Sequence, residues 1–407
     1  MKTLFKLARR NIWRNKRRTI LTMTSIFLAA MVALFTRSMQ HGSYSMMIDN
    51  TVRLSTGHIQ IHAEGYWDNK SINNTFESNS EMEKKILSVN HIEQVIPRLE
   101  SFSLASSGKH TKGSIVIATN PETENSVSKL ESRIIRGKYL SQNGNGIIVA
   151  EKLAEFLGID VGDSLVLLGQ GYHGVTAAAE FPVKGIFHFP LPQLNTQLIY
   201  MNLPAGQNFF AAPDRLTSIS ILLDSEQALD ETLDKLKTQF KERNFEIMRW
   251  EKMNVELVQA IQSDNAGGLI MLGILYIIIG FGVFGTVMMM TIERRKEFAV
   301  MIAVGMRKSK LVILTAMESV LIGAMAIVIG IVAAYPILYY LHQNPIPLTG
   351  ALADAMISFG VDPILPFSID PALFLNQGIT VFIITLAAII YPLSIIFKLN
   401  ILKAMRT

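Results

Sequence analysis

The sequence predicts a membrane α-helical protein with four transmembrane helices and a large α+β extracytoplasmic domain between helices 1 and 2. Three observations support this fold class. A mean hydropathy of +0.31 with 17% charged residues places part of the 407-residue chain in lipid. Four segments are long and apolar enough to cross a bilayer as helices. Lys and Arg collect on only one side of these segments.

The apolar segments divide the chain into nine parts. The first segment follows a basic leader, but it runs on into Arg37 and His41 without an A-x-A site, so we expect a retained helix and not a cleaved signal peptide. The predicted parts are a leader (1–18), helix 1 (19–40), the extracytoplasmic domain with a stalk (41–264), helix 2 (265–292), a coupling loop with a short helix (293–310), helix 3 (311–340), an extracytoplasmic loop (341–370), helix 4 (371–397) and a tail (398–407).

The distribution of Lys and Arg predicts the orientation. Residues 1–18 carry eight of them and residues 293–310 carry six, whereas residues 342–370 carry none. Because short cytoplasmic flanks are enriched in Lys and Arg, both termini and the 293–310 loop are predicted to be cytoplasmic. We therefore expect a multi-pass protein of the cell inner membrane whose large domain is periplasmic.

The domain between helices 1 and 2 mixes strand and helix patterns. Alternation over 57–63 predicts a strand, and 80–89 predicts a short amphipathic helix. The segment 146–168 reads as strand, helix, glycine turn and strand, and 218–250 reads as a βαβ unit. Helical spacing from Glu251 to Asp264 predicts a stalk that continues into helix 2.

Composition and missing motifs exclude several classes of function. The net charge of +5 comes largely from the membrane flanks, so no nucleic-acid partner is expected. The absence of cysteine excludes disulfides, thiol catalysis and an acylated N-terminal cysteine. The sequence contains no G-x-x-x-x-G-K-[ST], H-E-x-x-H or G-x-S-x-G, so we expect neither an ATPase site nor a hydrolytic enzyme. We expect no cofactor in this chain, and any ATP and Mg²⁺ would be bound by a partner.

Two further patterns have a structural and a functional interpretation. Gly169, Gly171 and Gly174 form G-x-G-x-x-G after a predicted strand, which fits a glycine-rich hairpin better than a dinucleotide site, since Pro182 lies within the next strand.

His58 and His62 lie on one face of the first strand. A half-exposed strand face is the ordinary interpretation, and a metal site is the alternative, although no third ligand is evident.

Glu318 is a carboxylate inside predicted helix 3. An acid in a membrane is costly and usually faces protein or water. One interpretation is an acid near the helix start that pairs with a nearby Lys or Arg. A proton relay is an alternative, but no second buried acid accompanies Glu318 to form one.

Three motifs resemble those of the FtsX/MacB permease family. The segment 293–323 is similar to the family's E-x-R-x-E-I-x-x-x-x-A-x-G, which leads into a helix bearing E-x-x-x-x-G. The start (7–22) and the end (391–406) resemble the family's terminal motifs, with Ile401 and Met405 in place of the usual Pro and Leu. By resemblance, ATPase coupling falls to Glu293, Arg295, Glu297, Ala303 and Gly305, and membrane gate or packing roles fall to Glu318 and Gly323.

The resemblance implies a non-catalytic permease subunit that a separate ATPase drives by mechanotransmission. Implied partners are a cytoplasmic ABC ATPase dimer, a second permease copy or paralogue, membrane lipid, and a lipoprotein substrate with its periplasmic chaperone. Among subfamilies, the lipoprotein-releasing permeases LolC and LolE are the most similar. An FtsX-like regulator of a cell-wall hydrolase and an exporter of a peptide, antibiotic or amphiphile are the alternatives; the domain of about 220 residues is large for the first.

Two segments are candidates for surface contacts. The leader carries Leu4, Leu7, Ile12 and Trp13 among its charges, which is typical of a helix on a membrane surface. Its basic residues with this predicted role are Arg9, Arg10, Arg14, Arg17 and Arg18. By resemblance, the segment 187–195 is a candidate partner-binding loop, with a plain edge turn as the other interpretation. The loop residues are Phe189, Pro190, Leu191 and Pro192.

Overall fold

The computed structural model describes residues 2–14, 16–77, 79–142, 144–241, 243–358 and 363–398. They form two compact units. The membrane unit comprises the described parts of Met1–Ser45, Ala260–Pro347 and Leu365–Thr407, and the interspan domain comprises those of Met46–Gln259 and Leu348–Ile364. The predicted tail lies outside the described residues from 399 onward, as do Ile401 and Met405.

Helices and strands alternate irregularly along the chain. The helices are α1 (Lys2–Arg14), α2 (Lys16–Thr51), α3 (Ser80–Leu87), α4 (Pro121–Ser128), α5 (Glu151–Leu157), α6 (Pro192–Asn195), α7 (Leu203–Phe209), α8 (Leu229–Gln239), α9 (Trp250–Met253), α10 (Val255–Glu293), α11 (Arg295–Ala303), α12 (Lys308–Gln343), α13 (Ala351–Ser358) and α14 (Pro371–Phe397). The strands are β1 (Ile59–Ala63), β2 (Phe76–Glu77), β3 (Ile92–Ser106), β4 (Thr111–Thr119), β5 (Ile134–Gly137), β6 (Ile147–Ala150), β7 (Ser164–Gln170), β8 (Thr176–Phe187), β9 (Leu198–Asn202), β10 (Arg215–Leu216), β11 (Ser218–Leu223), β12 (Phe245–Arg249), β13 (Ile346–Pro347) and β14 (Ile364–Leu365).

Four of the described helices are long and apolar enough to span a membrane, as predicted. They are α2 with the turn that follows it, α10, α12 and α14. The first two extend beyond their predicted limits, to Thr51 and back to Val255, because polar residues at their ends continue the helical hydrogen bonding. The fourth begins at Pro371 behind the N-cap Asp370, whose carboxylate accepts the amide hydrogen of Ala372 at 2.9 Å.

Small residues bring the spans of the membrane unit together. A methyl group at Gly323 of α12 would lie 3.0 Å from Thr385 Cγ2 of α14, and one at Gly330 would lie 3.1 Å from Ala30 of α2. Apolar contacts among α2, α10, α12 and α14 form the core of this unit. Close packing of small residues is the usual basis of helix association in membranes, because lipid supplies no hydrophobic driving force.

A large mixed sheet organises the interspan domain, which is α+β as predicted. Within the described residues it has ten strands, in the order β12-β1-β11-β3-β4-β9-β6-β8-β5, and β7 pairs with both β3 and β8. One core packs around β6, β8, β9 and α5, and a second packs around β1, β11, α3 and α8. The βαβ unit predicted over 218–250 is split, because β1 lies between β11 and β12 and pairs antiparallel with both.

Candidate coupling site

The short helix α11 and its two junctions carry most of the predicted coupling residues. Glu293 is the last residue of α10, Arg294 lies at the junction, and Arg295 begins α11. After α11 the chain turns at Gly305, whose φ of 109° is one that L side chains rarely adopt. A side chain there would meet no atom within 4 Å, so the backbone angle and not the available space requires glycine.

Glu318 is buried and paired with a cation, which is the arrangement expected of an acid near the start of a membrane helix. Its relative exposure is 3%, equal to that of Arg294. Arg294 Nη1 donates to Glu318 Oε2, and Asn11 Nδ2 of α1 donates to Oε1 at 2.5 Å. Both carboxylate oxygens are therefore satisfied by groups from two other helical segments. Since buried ions require a partner, the three side chains constrain one another's positions.

Glu297 extends this cluster towards solvent. Its Oε2 accepts from Arg294 Nε at 3.3 Å and lies 3.6 Å from Arg14 Nη2. The side chains of Arg14 and Glu297 are 61% and 43% exposed, so water screens this outer pair. We call Asn11, Arg14, Arg294, Glu297 and Glu318 the Glu318 cluster. It connects the leader helix, the junction before α11 and span α12.

One face of the leader helix packs against protein. Ala8 and Ile12 are buried and Asn11 reaches Glu318, so this face of α1 lies on α12. Phe5 and Trp13 stay exposed, as do Arg9, Arg10 and Arg14 of α1 and Arg17 at the start of α2. The side chain of Arg18 lies outside the described residues. A membrane-surface role for the exposed residues remains a prediction.

Helix α11 buries one face and exposes the other. Phe298 and Ala299 pack with Leu311 and Ile396, while Val304, just after the helix, is 85% exposed. An open groove runs along the exposed face. It is lined by Val300, Met301, Val304, Gly305, Met306, Arg307 and Lys310. This surface combines apolar and basic residues, and it includes one of the predicted coupling residues, Gly305. Ala303 is also exposed beside it.

The remaining predicted residues fall at separate places. Gly323 lies close to Thr385 and more than one helical turn from Glu318 along α12, and its gate or packing role remains a prediction. Arg295 is exposed at the start of α11. Glu293, the last residue of α10, also interacts with another group of the protein. The structure thus brings Glu297 and Glu318 together through Arg294, but it does not gather the whole predicted set at one point.

The candidate partner-binding loop is folded onto the domain. Phe189 and Pro190 are buried, and Leu191 and Pro192 are half-buried where α6 begins. The amide of Phe189 donates to Asn195 Oδ1 at 3.1 Å, which closes the loop over its own helix. The segment therefore has the compact form of an edge turn, and only part of it faces outward. Its partner-binding role remains a prediction.

The glycine motif forms a hairpin, as predicted. Strand β7 ends at Gln170 and β8 begins at Thr176, with their backbones paired up to that residue pair. The hairpin tip is held against the domain, because the Tyr172 amide donates to Phe210 O at 2.8 Å and the Arg215 guanidinium lies 4.3 Å from the Tyr172 ring centre.

The two histidines are in different environments, and the expected half-exposed strand face is wrong. His62 is fully buried, because β1 is covered on both faces. Its Nε2 pairs with Gln60 Oε1 at 2.7 Å, and burial lowers its pKa to about 4. His58 precedes the strand, and its Nδ1 accepts the amide hydrogen of Leu223 at 3.0 Å. Among the described residues, no group of three His, Cys, Asp or Glu side chains is placed to hold a metal ion.

Sequence reasoning did not single out Arg294 and Asn11. Arg294 is one of six basic residues in the 293–310 loop, and nothing in its spacing separates it from its neighbour Arg295. The available signal was Glu318, whose burial requires a cation. Asn11 carried no comparable signal, because a neutral amide in a basic leader is ordinary for an exposed helix.

Models of two protein families match the chain. Residues 19–239 match the model described as "MacB-like periplasmic core domain", and residues 269–401 match "FtsX-like permease C-terminal". The first match alone spans more than half of the chain, and the second contains α11 and most of the Glu318 cluster.

Similar curated proteins include two from Xylella fastidiosa. Both are named "Lipoprotein-releasing system transmembrane protein LolC". The one from strain Temecula1 is 22% identical over 254 residues and the one from strain 9a5c is 22% identical over 255 residues; each alignment covers 61% of both chains. This chain thus spans less than two thirds of the length of the relatives it matches.

Two solved structures are similar at lower sequence identity. The periplasmic region of MacB from Actinobacillus actinomycetemcomitans has a TM-score of 0.37 and 15% identity, covering 51% of this chain and 95% of that one. The extracellular domain of the noncanonic ABC-type transporter YknZ from Gram-positive bacteria has a TM-score of 0.34 and 14% identity, covering 47% and 99%.

Proposed function

This chain belongs to the FtsX/MacB family of ABC transporter permeases, and from that premise we propose that it is a non-catalytic subunit that converts ATP hydrolysis by a separate ATPase into movement of the interspan domain. In this proposal α1, α11 and both termini face the cytoplasm. The interspan domain faces the periplasm from the inner membrane. ATP and Mg²⁺ are bound by the partner ATPase dimer, and a second permease copy or a paralogue completes the complex.

The observation that carries the proposal is the buried contact of Arg294 with Glu318. Arg294 directly precedes α11, and Glu318 lies in span α12, so a displacement of the short helix must either move the span or break a buried ion pair. Breaking such a pair by removing one partner costs about 3–5 kcal/mol. The pair therefore favours joint movement of α11 and α12 when a partner pushes on the short helix.

The exposed side of α11 is the proposed contact with the ATPase. Val304 and Val300 offer apolar surface there, with exposures of 85% and 52%, and Arg307 and Lys310 add positive charge. Gly305 forms a turn within this surface, at a φ of 109° that L side chains rarely adopt. An apolar centre with a charged rim is typical of protein interfaces.

Lipoproteins are the proposed cargo. The support is the similarity to the two proteins named as lipoprotein-releasing transmembrane proteins, together with the large domain between the first two spans. In this proposal the interspan domain receives lipoprotein drawn from the outer leaflet and passes it to a periplasmic chaperone. The 187–195 loop is the proposed contact with the chaperone. Because the loop is partly buried, only part of its surface is available for that contact.

The experiment is purification of the tagged full chain in mild detergent, followed by identification of the proteins and lipids bound to it. We expect a P-loop ATPase and a bound lipoprotein. Nanodiscs containing the complex should then release lipoprotein only when ATP is hydrolysed. A co-purifying cell-wall hydrolase would instead favour the signalling alternative, and recovery without any ATPase would refute both.

A matched pair of variants tests the contact surface. Val304→Glu places a charge on the exposed side of α11 and should reduce ATPase recovery at least tenfold, because the charge is buried on docking. Val175→Glu makes the same change at a position that is 51% exposed on the hairpin of the interspan domain, and it should leave recovery unchanged. Equal recovery in both variants would mean that the ATPase binds elsewhere.

A further inference from the structure

The first long helix joins the sheet of the interspan domain without a loop. Helix α2 continues as a π-helical turn, Val52–Thr56, and β1 begins three residues later at Ile59. Gly57 makes the change of direction with a φ of 69°, and a methyl group there would lie 2.8 Å from the Ile221 carbonyl oxygen. π-helical turns are rare and often occur at functional positions. Any displacement of α2 along its axis therefore reaches β1 directly.

A buried arginine holds this turn. Arg98 of β3 is 2% exposed, and its Nη1 donates to the carbonyl oxygen of Ser55 in the turn. Its Nε and Nη2 donate to the two carboxylate oxygens of Glu124 of α4 at 2.9 and 2.8 Å. Glu124 is fully buried. One guanidinium thus links the end of α2, the sheet and α4 by three hydrogen bonds.

The placement of this cation has a physical reason. The last carbonyl groups of a helix lack intrahelical partners and carry partial negative charge, so a buried helix end needs a donor. The planar guanidinium of Arg98 serves this end and still binds the Glu124 carboxylate with two parallel bonds. A buried ion pair adds little net stability compared with apolar side chains of similar size, but it tolerates few geometries. The main effect of the Arg98–Glu124 pair is therefore to fix the position of the turn relative to β3 and α4.

The second long helix begins beside the same turn. Asn254, the residue before α10, donates from Nδ2 to Thr56 Oγ1 at 3.4 Å and to the carbonyl oxygen of Trp250 at 2.9 Å. The Trp250 amide donates to the carbonyl oxygen of His58 at 3.0 Å. The end of the first long helix and the start of the second are therefore bonded to one another within the interspan domain.

We propose that Arg98 is a positioning residue, which fixes the π-helical turn to the sheet so that movement of the long helices is passed to the whole interspan domain. The proposal rests on the proposed function for what the movement accomplishes. The structural part, that Arg98 and Glu124 fix the turn, stands independently of it.

The structural part is tested by hydrogen exchange of the full chain in detergent. Arg98→Met and the double variant Arg98→Met/Glu124→Leu should each raise exchange at residues 52–57 by about tenfold or more, because the turn opens locally. The double variant removes both members of the Arg98–Glu124 pair, so it remains informative if Arg98→Met alone fails to fold. Glu100, whose Oε1 lies 3.9 Å from Arg98 Nη1, keeps its carboxylate in both variants. The control is Arg136→Met, which removes an exposed pair with Asp160 (2.8 Å) in the same domain and should change nothing at the turn. Unchanged exchange in the double variant would overturn the proposal.

The functional part uses the complex with its ATPase. In the double variant we expect ATP hydrolysis to continue and lipoprotein release per ATP to fall by about tenfold, a loss of coupling that lower stability alone would not produce. Release equal to wild type despite a loosened turn would overturn the role of Arg98. If the wild-type chain couples to no ATPase, the proposed function fails, and the exchange measurement still decides whether Arg98 fixes the turn.

Discussion

Glu318→Gln leaves the buried Arg294 guanidinium with only one carboxylate contact, the 3.3 Å contact to the partly exposed Glu297. Arginine does not lose its proton in proteins, so the positive charge cannot be relieved by titration. Removing one partner of a buried pair costs about 3–5 kcal/mol. The glutamine keeps a carbonyl oxygen that accepts from Arg294 or Asn11, so we expect about 3 kcal/mol, the lower end of that range. Membrane insertion should be normal, because the substitution removes a charge from a span.

The assay is reversible unfolding of the purified chain in mixed micelles, combined with a double-mutant cycle on Arg294→Met and Glu318→Gln. The double variant should recover much of the lost stability, since it leaves neither charge unpaired. Arg14→Gln is the control, because its contact with Glu297 is exposed and 3.6 Å long and should contribute about 0–1 kcal/mol. In the complex, Glu318→Gln should also weaken the coupling of ATP hydrolysis to release.

A loss of less than about 1 kcal/mol for Glu318→Gln would refute the reasoning, because that is the range of an exposed pair. Additive losses of stability in the double-mutant cycle would also refute the reasoning, since the two side chains would then act independently. Wild-type release by this variant would separate the ion pair from transport and leave it a purely structural contact.

Three further predictions concern other parts of the chain. Burial lowers the pKa of His62 to about 4, so the neutral ring stabilises the fold fully above the unfolded pKa of about 6.5, and this stability is lost as the pH falls towards 4. Acid titration should therefore remove about 3 kcal/mol of unfolding free energy from the wild type and not from His62→Asn. Identical dependence of stability on pH in the two proteins would contradict this. Gly305→Val should cost about 1–2 kcal/mol of backbone strain at φ 109° and weaken ATPase coupling at normal expression; full coupling would show that the turn tolerates other residues. Gly42→Ala should lower the melting temperature, because its methyl group would lie 2.5 Å from the Pro366 carbonyl oxygen, whereas Gly273→Ala meets no atom within 4 Å and should be neutral or stabilising.

The parts of the fold that depend on periodicity could be predicted from the sequence. Hydropathy located the four spans, because a bilayer sets the length of an apolar helix independently of the rest of the chain. Local alternation located the strands around residues 59, 147 and 218. The pairing of β1 between β11 and β12 could not be predicted, since β1 lies far from both in the sequence and the local pattern of a strand does not specify its neighbours.

The site shows the same division between local and long-range information. A buried acid at Glu318 implied a cation nearby, because membrane burial of an unpaired charge is costly. Which cation it is depends on how α11 turns away from α10, and that is set by contacts of Phe298 and Ala299 with Leu311 and Ile396. His62 was misjudged because the rings of Tyr66 and Trp67 pack near its own ring, at centroid distances of 5.3 and 5.6 Å, and alternation within the strand does not reveal these contacts.

Among the described residues, two buried arginine–carboxylate pairs occur at the ends of long helices, one in each unit. Arg294 follows the last residue of α10, and Arg98 binds the carbonyl oxygen of Ser55 at the end of α2. Arg98 lies where the dipole of α2 is negative, which offsets part of its desolvation, whereas Arg294 lies between the C-terminus of α10 and the N-terminus of α11. Buried pairs contribute little net stability, so a protein that only needed to fold would gain as much from apolar residues. The gain lies in restricted geometry, because a turn held by directed, charge-assisted bonds passes on a displacement that softer apolar contacts would absorb. In the proposed function, these two pairs therefore help to transmit movement along α2 and α10.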